Sequence, residues 1–100
     1  MMKVSQMINK LGNPAANQFI LTDSENSLDA FQSYSSRIVT VDHAKKIITL
    51  GEDWNYSRTT SKHRNIFFDD YESMHELATL DGLKKAIKRG YYNDYIIKLA

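Results

Sequence analysis

The sequence contains no cysteine, one proline and four glycines in 100 residues. Without thiols there is no disulfide framework, no cysteine zinc site and no sulfur nucleophile, and a reducing cytoplasmic setting is the expectation. So little proline and glycine leaves no stretch that reads as a flexible linker, which points to a single domain over residues 1–100. Uninterrupted apolar runs reach only three residues, as in Phe19-Ile20-Leu21. That is too short for a membrane-spanning helix or the apolar region of a signal peptide. An excess of one charge is missing too: 13 basic residues face 12 acidic ones, for a net charge of +1. A generic polyanion binder carries a clear basic excess, so any nucleic-acid role has to come from local clustering.

What is present is ordinary for a globular chain. Apolar residues make up 42% and charged residues 25%, enough for one core. Val4, Met7, Ile8 and Leu11 fall at the i, i+3, i+4, i+7 spacing of one helical face, and Gly12-Asn13-Pro14 reads as its stop. From residue 17 the period shortens. Gln18 to Asp23, Leu28 to Ser33, Arg37 to Asp42 and Lys46 to Leu50 are rich in β-branched and aromatic residues and separated by turn signals. Short connections make neighbouring strands antiparallel. Thr59 or Thr60 is then the expected N-cap of a helix that breaks near Asp69-Asp70, and Ser73-Met74-His75-Glu76 has the pattern of a capping box that restarts it. Thr79 and Gly90 bracket a last helix, and Tyr95 to Leu99 favours a closing strand. The expected fold is α+β: an N-terminal helix with connector (1–16), a four-stranded antiparallel meander (17–57), and two or three C-terminal helices on one face with a possible terminal strand (58–100).

The seam between sheet and helices holds the densest polar chemistry. Within eleven residues, Trp54 to Arg64 brings together two aromatics, four serine or threonine hydroxyls, three permanent cations and a histidine. Helix N-termini favour anions, so Thr59, Thr60, Arg58, Lys62 and Arg64 could hold a phosphate while Trp54 and Tyr56 stack a base. The plainer reading is that the aromatics anchor the sheet edge, the threonines cap and the cations are solvated. Lys84, Lys85, Lys88 and Arg89 form a second basic patch, at the end of a helix where positive charge is favoured in any case. His43, His63 and His75 have no pairwise metal-ligand spacing, and His63 is expected to pack rather than ligate. No metal, no cofactor and no catalytic set are expected.

Asn17-Gln18-Phe19-Ile20, Phe31-Gln32-Ser33-Tyr34-Ser35-Ser36 and Trp54-Asn55-Tyr56-Ser57-Arg58-Thr59-Thr60-Ser61-Lys62 resemble a group of small uncharacterised proteins. That group is encoded by phages, plasmids and integrated elements of Gram-positive bacteria. The resemblance covers roughly residues 17 to 68, and its most specific part is the Trp-x-Tyr-Ser-x-Thr-Thr-x-Lys string. It implies a mobile-element accessory protein and carries over no functional residue. Tyrosine excess, with Tyr34, Tyr91, Tyr92 and Tyr95 near turns or ends, suits a protein interface. The expected function is a non-enzymatic binding protein that occupies a host protein or protein–nucleic acid complex, with direct DNA or RNA binding as the alternative.

Overall fold

A computed structural model describes residues 2–100. Seven strands form one sheet: β1 (Lys3–Ile8), β2 (Pro14–Asp23), β3 (Leu28–Ser33), β4 (Ser36–Asp42), β5 (Ile47–Leu50), β6 (Tyr91–Tyr92) and β7 (Tyr95–Leu99). Between β5 and β6 lie α1 (Arg58–Asp69), a 3-10 helix (Glu72–Ala78) and α2 (Leu80–Arg89). The strand order is β1-β2-β3-β4-β5-β7-β6. Every neighbouring pair is antiparallel except β5 and β7, which run parallel with Ile47 opposite Ile96 and Leu50 opposite Leu99.

This overturns the expected N-terminal helix followed by a four-stranded meander. The first segment is a strand, with Val4 opposite Leu21 and Gln6 opposite Phe19. Its helix-like spacing does not correspond to a buried stripe: Met7 is buried, whereas Val4, Ile8 and Leu11 are exposed. A helix of two turns is marginal in water, and pairing with β2 supplies backbone partners that an isolated helix would lack. Gly12-Asn13-Pro14, read as a helix stop, belongs to a hairpin connection. There Asn9 Oδ1 accepts from the amides of Leu11 and Asn13 at 2.9 and 3.0 Å, and Gly12 takes φ +82°, which glycine tolerates.

The C-terminal half departs in detail. The N-cap of α1 is Ser57, whose Oγ accepts from the Thr60 amide, so neither Thr59 nor Thr60 caps it. The restart after Asp70 is a 3-10 helix entered from an extended Tyr71 without a side-chain cap, and Met74 is non-helical at φ −122°. Glu76 therefore completes no capping box. Thr79 does cap α2, accepting from the Gly82 amide, and Gly90 ends it in the left-handed conformation. The last ten residues turn back as a hairpin, Tyr92 opposite Tyr95, and add two strands to the sheet.

The helices cover one face. Phe31, Val39, Val41, Ile48 and Leu50 from the sheet meet Ile66, Phe67, Phe68, Met74, Leu77, Leu83 and Ala86 from the helical layer. Phe31 stacks on Phe67 at 6.2 Å between ring centroids, and Phe67 meets Tyr71 edge-on at 5.5 Å. The adjacent apolar pairs Ile38-Val39 and Ile47-Ile48 reflect a sheet interior that is buried by its neighbours as well as by the helices. Gly51 ends β5 where a Cβ would stand 1.9 Å from the Arg37 carbonyl oxygen. Only glycine lets the chain leave the sheet so close to β4 and enter the seam.

Candidate functional site

The seam folds into two successive turns, with the Trp54 amide donating to Gly51 O and the Tyr56 amide to Asp53 O, both at 3.1 Å. α1 then starts at Arg58. This divides the seam residues into two groups. Tyr56 is 78% exposed, and Arg58, Thr59 and Lys62 are exposed on the first turns of α1. Thr60 is buried, Trp54 is half-buried against the core, and Arg64 has 0% of its surface in solvent.

Arg64 therefore contributes nothing to the surface. Its Nη1 donates to Trp54 O at 2.7 Å and Nη2 to Asn65 Oδ1 at 3.1 Å, while the guanidinium carbon lies 5.5 Å from the centroid of the Trp54 ring. No carboxylate pairs with it among the described residues, and burial lowers its pKa. The side chain is an internal strut that ties the seam to α1. The i, i+3 relation of Ser61 and Arg64, with Trp54 upstream, is the only sequence signal for it, and that signal is weak.

Beside Tyr56 is a cleft of about 300 Å³ lined by Ser33, Tyr34, Ser36, Ile38, Asp53, Tyr56 and Thr60. Its far lip is the β3–β4 turn, where Tyr34 is 62% exposed and sits at φ +55°. A bulky aromatic in the left-handed region is a backbone outlier that costs energy and marks a position worth a functional explanation. The turn is held from both sides: the Tyr34 amide donates to Asn17 O at 2.7 Å and Gln32 Nε2 donates to Tyr34 O at 3.0 Å. Within the lining, Ser33 is 4% exposed; its cross-strand partner Gln18, 1% exposed, lies behind it and does not line the cleft. Ser33 Oγ and Gln18 Oε1 are both buried without a hydrogen-bond partner, an arrangement that native interiors mostly avoid. Asp53 accepts from Ser36 Oγ at 2.8 Å and has no ion pair among the described residues.

A second polar cluster was not foreseen from the sequence. Asp29 Oδ2 accepts from His43 Nε2 at 2.8 Å and from the Tyr71 hydroxyl at 2.7 Å, and His43 Nδ1 meets the Tyr95 hydroxyl at 2.8 Å. An ionised carboxylate only accepts, so Nε2 carries the proton of a neutral His43 and Nδ1 accepts from Tyr95. Burial first, then the hydrogen bond and charge of Asp29, hold the Tyr71 phenol far above the usual tyrosine range. Four elements meet here, and each named polar atom has a partner. Its members span residues 29 to 95, so no local spacing announces it.

The other expected residues have plain surroundings. Lys84, Lys85, Lys88 and Arg89 are exposed on α2, which packs on the 3-10 helix and the C-terminal hairpin. Lys85 pairs with Asp81 at 3.2 Å, and Arg89 lies over the Tyr91 ring at 5.6 Å. His63 is buried and donates from Nδ1 to Thr59 O at 2.8 Å. His75 meets Asp69 at 2.8 Å on the surface. Among the described residues no group of three or more His, Asp or Glu side chains is placed to hold a metal ion, and no helix is long and apolar enough to cross a membrane.

A family model described as a family of unknown function, DUF8033, matches residues 2–85. The chain belongs to that family. The matched region runs from β1 into α2, so both lips of the cleft lie inside it and the β6–β7 hairpin lies outside. No curated protein and no solved structure matches the chain.

Proposed function

We propose that this is a non-enzymatic binding protein that grips a protein partner at the cleft between the β3–β4 turn and the start of α1. One observation carries the reading: two exposed tyrosines from separate elements flank a cleft whose lining includes a buried hydroxyl, Ser33 Oγ, without a partner. Tyrosine and arginine are enriched in protein interfaces, and here Tyr34, Tyr56 and Arg58 share one region with Lys62. The Asp29–His43 cluster is the nearest thing to an acid–base set, and its atoms are engaged with one another. In keeping with the resemblance of the Trp54–Lys62 string, the partner is proposed to be a host protein and the chain a product of a phage, plasmid or integrated element.

The test is affinity capture from host lysate with the tagged protein. One defined partner is expected, lost on combined Tyr56→Ala and Arg58→Ala substitution while circular dichroism stays unchanged. Equal recovery by parent and variant overturns the proposal. Direct DNA or RNA binding is favoured by one feature, Arg58 and Lys62 exposed beside Tyr56. It predicts an electrophoretic shift with single-stranded nucleic acid that fades as salt rises. With Arg64 buried, only two seam cations remain for phosphates, and Asp53 in the cleft repels them.

A further inference from the structure

We propose that the Tyr34–Tyr56 cleft receives a single basic side chain, an arginine guanidinium, from the protein partner. The proposal rests on the binding reading above and specifies what enters the cleft. Among its lining residues the only formal charge is the Asp53 carboxylate, and among the described residues no cation pairs with it. The adjoining hollow brings the exposed Glu52 to the same lip, together with Arg37, whose Nη1 is turned to Thr40 Oγ1 at 3.4 Å. A carboxylate flanked by two exposed aromatic rings suits a cation, because the ring faces are negative.

The uncharged atoms narrow the choice. Ser33 Oγ, in the lining of the cleft, is buried without a partner. The ionised Asp53 carboxylate can only accept, and the Ser33 hydroxyl can accept as well as donate. A ligand that satisfies both acceptors must bring several donors. A guanidinium has five N–H donors in a planar fork and stacks on aromatic faces, whereas an ammonium has three donors and binds as a point charge. Anionic ligands would meet Asp53. The first turn of α1 opposes a cation through its dipole, but Ser57 already caps the Thr60 amide there. The ≈ 300 Å³ volume is at the small end of ligand-holding clefts, which suits one side chain rather than a folded segment. The left-handed Tyr34 keeps one ring at the mouth without help from the core.

The larger hollow of about 390 Å³, between the β2–β3 and β4–β5 turns, gives no comparable match. Its polar groups close the turns themselves, as Asp42 Oδ1 does by accepting from the Lys45 amide at 2.9 Å.

The experiment titrates isotope-labelled full-length protein with a capped Gly-Gly-Arg-Gly-Gly peptide and follows backbone amide shifts. Saturable shifts are expected at Ser33, Tyr34, Ser36, Asp53 and Tyr56. The citrulline peptide, isosteric and uncharged, should bind roughly tenfold more weakly or worse, and the lysine peptide several-fold more weakly. Asp53→Asn and Tyr34→Gly should each lose the arginine-dependent shifts. Shifts elsewhere, equal binding of the citrulline peptide, or an unaffected Asp53→Asn protein would overturn the assignment of a cation, and a lysine peptide that binds as well as arginine would overturn that of a guanidinium. If lysate capture depends on Tyr56 and Arg58 while the arginine peptide leaves the cleft untouched, the binding reading stands and this one fails.

Discussion

Two polar clusters lie on the helix-facing side of the same sheet, and they are built on opposite principles. Around Asp29, each donor and acceptor named above finds another inside the protein, and the result fastens β3, the β4–β5 turn, the link between α1 and the 3-10 helix, and β7 together. Around Ser33 and Gln18, Ser33 Oγ and Gln18 Oε1 are buried and have nothing to bind, although Gln18 Nε2 donates to Ala16 O at 3.4 Å, while the flanking tyrosines project outward. The first arrangement stabilises the fold. The second weakens it, since a buried group without a partner forfeits its hydration.

That contrast can be broken, and the largest effect should come from the closed cluster. Asp29→Ala removes the acceptor shared by His43 and Tyr71 and should cost about 2–4 kcal/mol in chemical denaturation. Loss below about 1 kcal/mol would mean that the network contributes little. Tyr71→Phe keeps the ring and deletes one hydrogen bond, for about 1–1.5 kcal/mol. It also has a pH signature. The phenol is raised from its ordinary 10.0, so the folded protein retains a proton that the unfolded chain gives up. Stability is full below pH 10 and falls as pH rises beyond it, by up to about 1.4 kcal/mol per pH unit. The phenylalanine variant should lose that part of the alkaline slope in melts taken between pH 9 and 11.

At the open cluster the sign should reverse. Tyr34→Gly relieves a left-handed backbone and should stabilise the protein by about 0.5–1 kcal/mol, while partner capture fails. Thermal melts and capture on the same sample would show the two effects moving in opposite directions. Ser33→Ala should be the smallest change, neutral or stabilising by up to about 0.5 kcal/mol, because the hydroxyl it removes has no partner in the fold. A clear loss of stability there would show that Ser33 Oγ is satisfied after all, and the two clusters would no longer differ in kind.

How much of this the sequence disclosed depended on distance along the chain. The boundaries that local chemistry sets were legible: Thr79 and Gly90 bracket α2, the break follows Asp69, and Arg37–Asp42 with Lys46–Leu50 pair as neighbours. β1 was misread because four apolar residues happened to fall at helical spacing, and only its pairing with β2, from Ile8 opposite Pro14 out to Lys3 opposite Thr22, decides between strand and helix. Tyr34 was legible as an aromatic at a turn and Tyr56 as part of the seam, with anchoring of the sheet edge as its plainer reading, but nothing in the sequence places them across one cleft. Arg64 shows the limit of reading charge as surface. Its neighbours Arg58 and Lys62 are solvated, and two residues beyond Lys62 it is wholly enclosed, held by a main-chain carbonyl ten residues upstream.

The parallel pairing of β5 with β7 has a consequence for how the molecule is made. Ile47 waits for Ile96, so nearly half the chain must leave the ribosome before β5 gains its second neighbour. Until then Ile47-Ile48-Thr49-Leu50 is an uncharged outer strand with free hydrogen-bonding groups, the kind that recruits other chains. A chain cut after Gly90 would keep both lips of the cleft and leave that strand bare, and its expected fate is aggregation rather than a smaller working domain.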